Sequence, residues 1–389
     1  MQPNAPERGF PEAEFAARTA KAQDRMIQDG LAGLLLMTEP EVTYFTGFQT
    51  LFWQSPTRPW FLFVPAAGKP IAIIPEIGAE LMRQTWLDDI RTWSAPCPED
   101  DGISLLTDLI APLAKAGERI GVMKGHETQL RMPLGDWERL VADLPGLHIA
   151  DATRLVQHLR MVKSEAEIEK LAHICAIGSS TFARVPELVS DGMPLEDVFR
   201  AFRREALTQG ADNATYLVGA AAPGGYADVI SPPSRRPLQA GDVMMLDTGC
   251  VWDGYFCDFD RNWAIGHADD ATRQAYDTLW RATEAGLEAA KPGNTCKDLF
   301  RAMSEVIAEI DPSGGDIGRL GHGLGLQLTE QPSHAAFDET VLEDGMVLTL
   351  EPSLSYGSGL MMVHEENIVV RKHGVELLTT RTPQSLIVI

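Results

Sequence analysis

Basic residues are scarce in this chain. It has 33 Lys and Arg against 55 Asp and Glu, a formal net charge of −22 and a pI near 4.8. Such a surface repels nucleic acid and anionic membranes, so neither is expected as a partner. Long apolar runs are missing too. No segment approaches the roughly 18 apolar residues of a membrane-spanning helix. The stretch Met1-Gln-Pro-Asn-Ala-Pro-Glu-Arg8 lacks the apolar centre of a secretory signal. Cysteine is limited to positions 97, 175, 250, 257 and 296, with no metal-ligand spacing. An odd number in a chain this long predicts reduced thiols and a cytoplasmic setting. Cys250 and Cys257 are expected to face each other as packing residues. Residues 1–160 hold neither a Gly-x-Gly dinucleotide fingerprint nor a phosphate loop.

What is present divides near residue 160. With 389 residues the chain is long for one core, which predicts domains over 1–160 and 161–389. The first part alternates: a helical pattern over 13–29, apolar runs at 31–37, 60–64 and 70–74, a helix over 103–116 and a strand at 119–123. That order describes a small α/β domain. In the second part Ser164 and Glu167 form a capping-box signature for a helix reaching about residue 184. Its buried side carries Ile168, Leu171, Ile174, Cys175 and Ile177. Further helices are expected over 194–210, 270–290 and 296–310. Two helices followed by a carboxylate-bearing hairpin occur twice, which predicts a pseudo-two-fold α+β domain closing on a central site.

The chemistry concentrates in five residues. Asp247 ends the apolar run Val243-Met-Met-Leu-Asp247, and Asp258 follows eleven residues later. His322 lies in Gly321-His322-Gly-Leu-Gly325. Glu351 closes Val347-Leu-Thr-Leu-Glu351-Pro352, and Glu365 opens Glu365-Glu-Asn-Ile-Val-Val370. Four carboxylates and one imidazole make a hard, oxygen-rich set suited to two divalent ions with bridging carboxylates. Asp253-Gly254 is a tight-turn signal that folds Asp247 and Asp258 onto neighbouring strands. Tyr356-Gly-Ser-Gly359 does the same for Glu351 and Glu365. Without a cation, four converging like charges in a dry pocket would resist ionisation.

This pattern resembles the pita-bread metallopeptidases (family M24), which include methionine aminopeptidase, aminopeptidase P, prolidase and creatinase-like enzymes. Lys291-Pro-Gly293, Arg160-x-x-Lys163-Ser-x-x-Glu167 and Val42-Thr-Tyr44-Phe-Thr-Gly47-Phe48 resemble other segments of that family, so the likeness spans nearly the whole chain. It implies a creatinase-type N-terminal domain, a pita-bread catalytic domain and two ions of Mn, Co, Fe or Zn. Asp247 and Asp258 would hold one, His322 and Glu351 would complete the other, and Glu365 would bridge. It also implies a homodimer in which the aromatic loop Phe48-Gln-Thr-Leu-Phe-Trp53, with Pro56 and Trp60, serves as a substrate cap or packs under its own domain.

Two departures from the family pattern stand out. Its peptidases carry a second His seven residues after the metal-binding one, where this chain has Thr329. They also carry a His upstream of the first metal Asp, whereas residues 224–236 contain none. A hydroxyl cannot relay protons near neutral pH as an imidazole does. The expected activity is therefore metal-assisted hydrolysis of a C–N bond in a small molecule, on the branch of the family that acts on compatible solutes. The alternatives are a lyase acting on a sulfonium osmolyte, a proline-directed aminopeptidase or dipeptidase, and a non-enzymatic binding protein. Glu351 is the expected general base. His334 is a candidate replacement for the missing imidazoles, and Asp260 a second acid on the face of Asp258. Trp53, Tyr226 and Thr329 are the candidates for substrate contact, with Arg235 or Arg236 beside Tyr226. Arg261, His364 and Glu366 are expected to point away from the site and support it.

Overall fold

The structure is a computed structural model that describes residues 5–55, 58–312 and 318–389. The chain forms two compact units, one of them Glu7–Arg160 and the other containing Met161–Ile389.

The N-terminal unit is built on one mixed sheet. Its strands are β1 (Gly33–Leu36), β2 (Phe61–Pro65), β3 (Ile71–Pro75), β4 (Asp89–Trp93), β5 (Arg119–Val122) and β6 (His148–Asp151), in the order β4-β3-β2-β1-β5-β6. β1 runs antiparallel to β2 and parallel to β5. Buried on both faces, β1 reads as an unbroken apolar run, as a central strand should. The amphipathic helix Ile103–Lys115 turns Ile103, Leu106 and Ile110 into a core with Leu35, Phe61, Phe63 and Ile73. β4 and β6 carry no strong apolar signal, because each lies at an edge and is only partly covered.

The aromatic loop differs from an exposed cap. Phe48, Trp53 and Trp60 are buried, and the Trp60 ring lies 5.2 Å from Phe48 and 5.4 Å from Trp53. Arg131 stacks 4.9 Å from the Trp53 ring centroid and donates to the Trp53 carbonyl at 3.1 Å. Leu51 is the large apolar side chain that faces solvent there, 76% exposed. Pro56 lies outside the described residues.

The C-terminal unit begins with the helix Glu165–Leu188. Ser164 Oγ accepts from Glu167 N at 3.3 Å and Glu167 Oε2 from Ser164 N at 2.9 Å, so the capping box forms. Ile168, Leu171, Ile174 and Ile177 are buried along it, each contributing about 1.5–3 kcal/mol relative to exposure. The helix Leu195–Gln209 follows, closed by Gly210 in the left-handed conformation. Then come β7 (Asn213–Pro223), β8 (Asp242–Trp252), β9 (Tyr255–Phe256) and β10 (Phe259–Ala264). The helices Asp270–Ala289 and Cys296–Ile307 lead into β11 (His322–Gly323), β12 (Glu330–Ser333), β13 (Val347–Leu350), β14 (Ser353–Tyr356), β15 (Leu360–Val363), β16 (Glu366–Arg371), β17 (Gly374–Leu377) and β18 (Ile387–Val388). One sheet has the order β18-β10-β8-β7 with β9 on β8, and a second has β12-β11-β13-β16-β17. Helix pair then acidic strands thus occurs twice. Val243, Met245, Leu279, Leu299, Met303, Leu348, Leu350 and Ile368 share one core. Among the described residues no helix is long and apolar enough to cross a membrane.

Both hairpins turn where the sequence marks them. Asp253 and Gly254 have φ of 49° and 83°, the doubly left-handed geometry of a two-residue turn matched to strand twist. Gly357 and Gly359 supply positive φ between β14 and β15.

Candidate metal centre

Strand register assembles the site. The β8–β10 ladder sets Asp260 directly opposite Asp247 and Phe259 opposite Thr248. Asp258 shares the face of Asp260 by alternation. The second hairpin works similarly. Leu350 pairs with Glu366 and Ser353 with Val363. His364 N donates to Pro352 O at 3.1 Å between those pairs, so Glu351 and Glu365 stand opposite each other. His322 enters from β11. Its Nε2 lies 3.5 Å from Asp258 Oδ2 and 3.8 Å from Glu351 Oε2. One ligating atom each from Asp258, His322 and Glu365 falls within 4.8 Å of the others. Nδ1 of His322 is 2.9 Å from Gly323 O, which fixes a proton on Nδ1 and leaves the Nε2 lone pair facing the acids.

The site's electrostatics need a cation. Asp247 Oδ1, Asp260 Oδ1 and Glu365 Oε1 are buried without a hydrogen-bond partner. Burial, with Glu351 adding to it, pushes Asp247 up to about 8, and burial pushes Glu351 up to about 7. Burial and the neighbouring acids hold Asp258 and Glu365 well above the usual carboxylate range. Burial drives His322 down to about 3, so its imidazole is neutral. Oxygen donors without protein partners, packed with a neutral imidazole, are the donor set that divalent ions satisfy. Asp247, Asp258, His322, Glu351 and Glu365 therefore fit the metal that the family pattern implies.

Surrounding side chains hold the acids in place. Asn367 bonds both the N–H and the carbonyl of Asp258. Arg261, on the opposite strand face, donates from Nη1 to the carbonyls of Asp260 and Glu365, both at 2.7 Å. Its Nη2 reaches Glu366 Oε2 at 2.9 Å and Thr380 O at 2.8 Å. Glu366 also meets Arg381 and Thr379. His364 lies between the hydroxyls of Thr283 and Thr382, each 2.9 Å away. The supporting positions of these three residues follow strand alternation.

Several other residues differ from their sequence-based roles. His334 is fully buried after the cis bond Gln331–Pro332. Its ring packs beside Gly321, where an added Cβ would meet both His334 Cδ2 and the Thr349 carbonyl. Burial pushes it down to about 4, and neither ring nitrogen makes a hydrogen bond of good geometry. Tyr226 is also buried. Its hydroxyl donates to Asn262 Oδ1 at 2.9 Å and accepts from Val363 N at 3.0 Å, which occupies it structurally. Arg236 forks onto Asp242 at 2.6 and 2.8 Å, and exposed Arg235 faces Glu196 at 3.7 Å. Thr329 is half-buried in the bend between β11 and β12. Cys250 and Cys257 face each other across the first hairpin and are fully buried.

Two residues near the acids escaped the sequence reading. Tyr216 on β7 lies near Asp247, and Arg319 offsets the charge of Asp258 and Glu351. Tyr216 gives no local signal, because only the β7–β8 register, with Tyr216 opposite Gly249, brings it near Asp247. Arg319 stands three residues before His322, and that proximity was its available signal.

Comparisons with known proteins agree with this geometry. Residues 169–372 match metallopeptidase family M24, and residues 18–162 match the creatinase/prolidase N-terminal domain. The chain is 30% identical over 386 residues to a probable dipeptidase PepE of Mycobacterium bovis, covering 98% of each protein. It is 26% identical over 363 residues to an Xaa-Pro dipeptidase of Lactobacillus delbrueckii, covering 92% of this chain and 95% of the relative. The crystal structure of dipeptidase PepE from Mycobacterium ulcerans superposes with a TM-score of 0.84 at 28% identity, covering 98% of this chain and 99% of that one. The chain belongs to metallopeptidase family M24, with a creatinase/prolidase-type N-terminal domain joined to a pita-bread catalytic domain.

Proposed function

We propose that this metal-dependent peptidase is a dipeptidase. The observation that carries the reading is end-to-end similarity to a probable dipeptidase, with a ligand set of four acids and a neutral imidazole in the same chain. It replaces the small-molecule branch that the missing histidines suggested. In this reading Asp247, Asp258, His322, Glu351 and Glu365 hold two divalent ions of Mn, Co, Fe or Zn. Those ions, when bound, supply Lewis acidity and a more acidic water. Glu351 is the proton acceptor. Its side chain keeps 32% of its surface open, against 6% for Asp258, so water and substrate can reach it. His322 stays a neutral donor because Gly323 O holds its other ring proton. Arg261 fixes the backbone of two acids from behind. The substrate is a short peptide, and we expect the assembly to be a homodimer.

Thr329, standing where the family's peptidases carry a His, favours a weakened preference for proline. Restoring the imidazole with Thr329→His is expected to raise kcat/KM on Ala-Pro by about 100-fold, the lower end of what a positioned proton donor contributes. The main test is metal-reconstituted protein incubated with Ala-Pro, Gly-Pro and proline-free dipeptides, alongside ectoine and a sulfonium osmolyte. Release of free amino acids is the expected result. Metal-loaded protein that leaves every dipeptide intact while turning over an osmolyte would sink the dipeptidase reading.

A further inference from the structure

The acid facing Asp247 across the ladder is Asp260, and none of the residues that the family pattern assigns to the metals is this one. Cys257 N donates to Cys250 O at 3.0 Å, which makes 250 and 257 a hydrogen-bonded pair. Counting along the continuous register, 247 and 260 form a non-hydrogen-bonded pair, the type in which side chains come closest. Their Cβ atoms are then about 4.5–5.5 Å apart. Two carboxylates opposed in this way are destabilising as anions unless a cation or a shared proton lies between them.

The hydrogen bonds around Asp260 leave one oxygen for that cation. The Tyr226 hydroxyl accepts from Val363 N, so its own proton goes to Asn262 Oδ1. Asn262 Nδ2 is thereby committed to Val363 O at 2.8 Å and Asp260 Oδ2 at 2.7 Å. Asp260 Oδ2 has its partner. Oδ1 has none, although the residue is only 2% exposed. The other buried carboxylate oxygens without a partner among the described residues are Asp247 Oδ1 and Glu365 Oε1, both of the metal set. Arg261 offsets part of the Asp260 charge but bonds only its carbonyl, from the far side of the strand, and leaves Oδ1 without a partner.

We propose that Asp260 is a sixth protein ligand of the metal centre, contributing Oδ1 from the position opposite Asp247. The inference rests on the metal-centre reading but not on the substrate. An additional carboxylate makes the donor set harder and raises its ligand number. It should therefore favour Mn over Zn, which is satisfied by fewer ligands and accepts nitrogen and sulfur. The Tyr226–Asn262 bracket acquires a purpose here, as the support that aims the Asp260 carboxylate.

The test compares the full-length wild type with Asp260→Asn by calorimetric titration of Mn and Zn into metal-free protein, with elemental analysis of stoichiometry. The expected result is Mn binding weakened by about 10–100-fold for at least one equivalent, with a smaller loss for Zn. A merely structural Asp260 predicts a lower melting temperature of the metal-free variant with metal affinity unchanged, and that outcome overturns the assignment. If Asp260→Asn does not fold, Asp260→Thr, which also removes the carboxylate, carries the same comparison. A wild type that binds no metal would overturn the metal-centre reading itself, whereas equal affinity in wild type and variant overturns Asp260 alone.

Discussion

Replacing Arg261 with Met should both destabilise the fold and loosen the metal site. The Arg261 side chain is 8% exposed and that of its partner Glu366 is 0% exposed. Removing one member of a buried pair costs about 3–5 kcal/mol, because the other charge is left without compensation. Glu366 keeps Arg381 at 3.2 Å and the Thr379 hydroxyl, which places the expected loss near the low end, about 3 kcal/mol. The carbonyls of Asp260, Glu365 and Thr380 lose their donor at the same time. Two of those carbonyls belong to acids of the site, so metal affinity should fall along with stability. Arg261→Lys keeps the charge but not the fork, and cannot span all four acceptors. It should lie between wild type and Arg261→Met. Urea unfolding of metal-free protein followed by circular dichroism gives the first quantity, and Mn titration the second. A loss below about 1 kcal/mol in Arg261→Met, or a lysine variant as stable as wild type, would refute the claim that the guanidinium clamps the two strands.

Further outcomes follow from the same geometry. The folded pKa of Asp247 is raised from 3.8 to about 8 and that of Glu351 from 4.5 to about 7. The folded metal-free chain therefore binds more protons than the unfolded one between these limits. This contribution to stability is fully present below about pH 4 and is lost as pH rises through about 7 and 8. Melting temperatures of metal-free protein should fall from about pH 7 to pH 9, above the range in which the neutral buried histidines oppose the trend, and saturating Mn should reverse it, since ligands bind metal deprotonated. A metal-free protein whose stability rises over that range would contradict the pKa assignment. Trp53→Ala should cost about 3 kcal/mol or more of stability, as removal of a buried aromatic does, measurable by thermal unfolding. A neutral effect would mean that the ring is not part of its unit's core.

Much of the site was legible in the sequence because hairpin chemistry is local. Asp253-Gly254 and Tyr356-Gly-Ser-Gly359 fix the turns, and once the turns are fixed, two-residue periodicity decides which acids share a face. Arg261 was assigned to the far face on that ground alone. The helices were legible for a similar reason, with Ser164 and Glu167 starting one within a residue of where it begins. Tertiary environment was not legible. Nothing near His334 in sequence announces that its ring is fully buried beside Gly321, and nothing near Tyr226 announces a bracket with Asn262 and Val363. Trp53 shows the same limit. The loop's sequence leaves a substrate cap and packing under its own domain equally open, and the rings of Phe48, Trp53 and Trp60 pack together. The edge strands Asp89–Trp93 and His148–Asp151 were missed because partial burial does not require a continuous apolar run. The substrate branch was misjudged on the missing histidines, whereas similarity over the whole chain points to dipeptidases.

Five converging side chains are expected to hold divalent ions, and the decisive measurement is metal content. Elemental analysis would be run on wild type and Asp258→Ala after reconstitution with Mn and removal of free ion. The account expects about two equivalents in wild type, with most of that metal lost in a variant whose circular dichroism is unchanged. Wild type and variant that are both folded and both hold no metal would contradict it, and the carboxylates would then have to act without an ion.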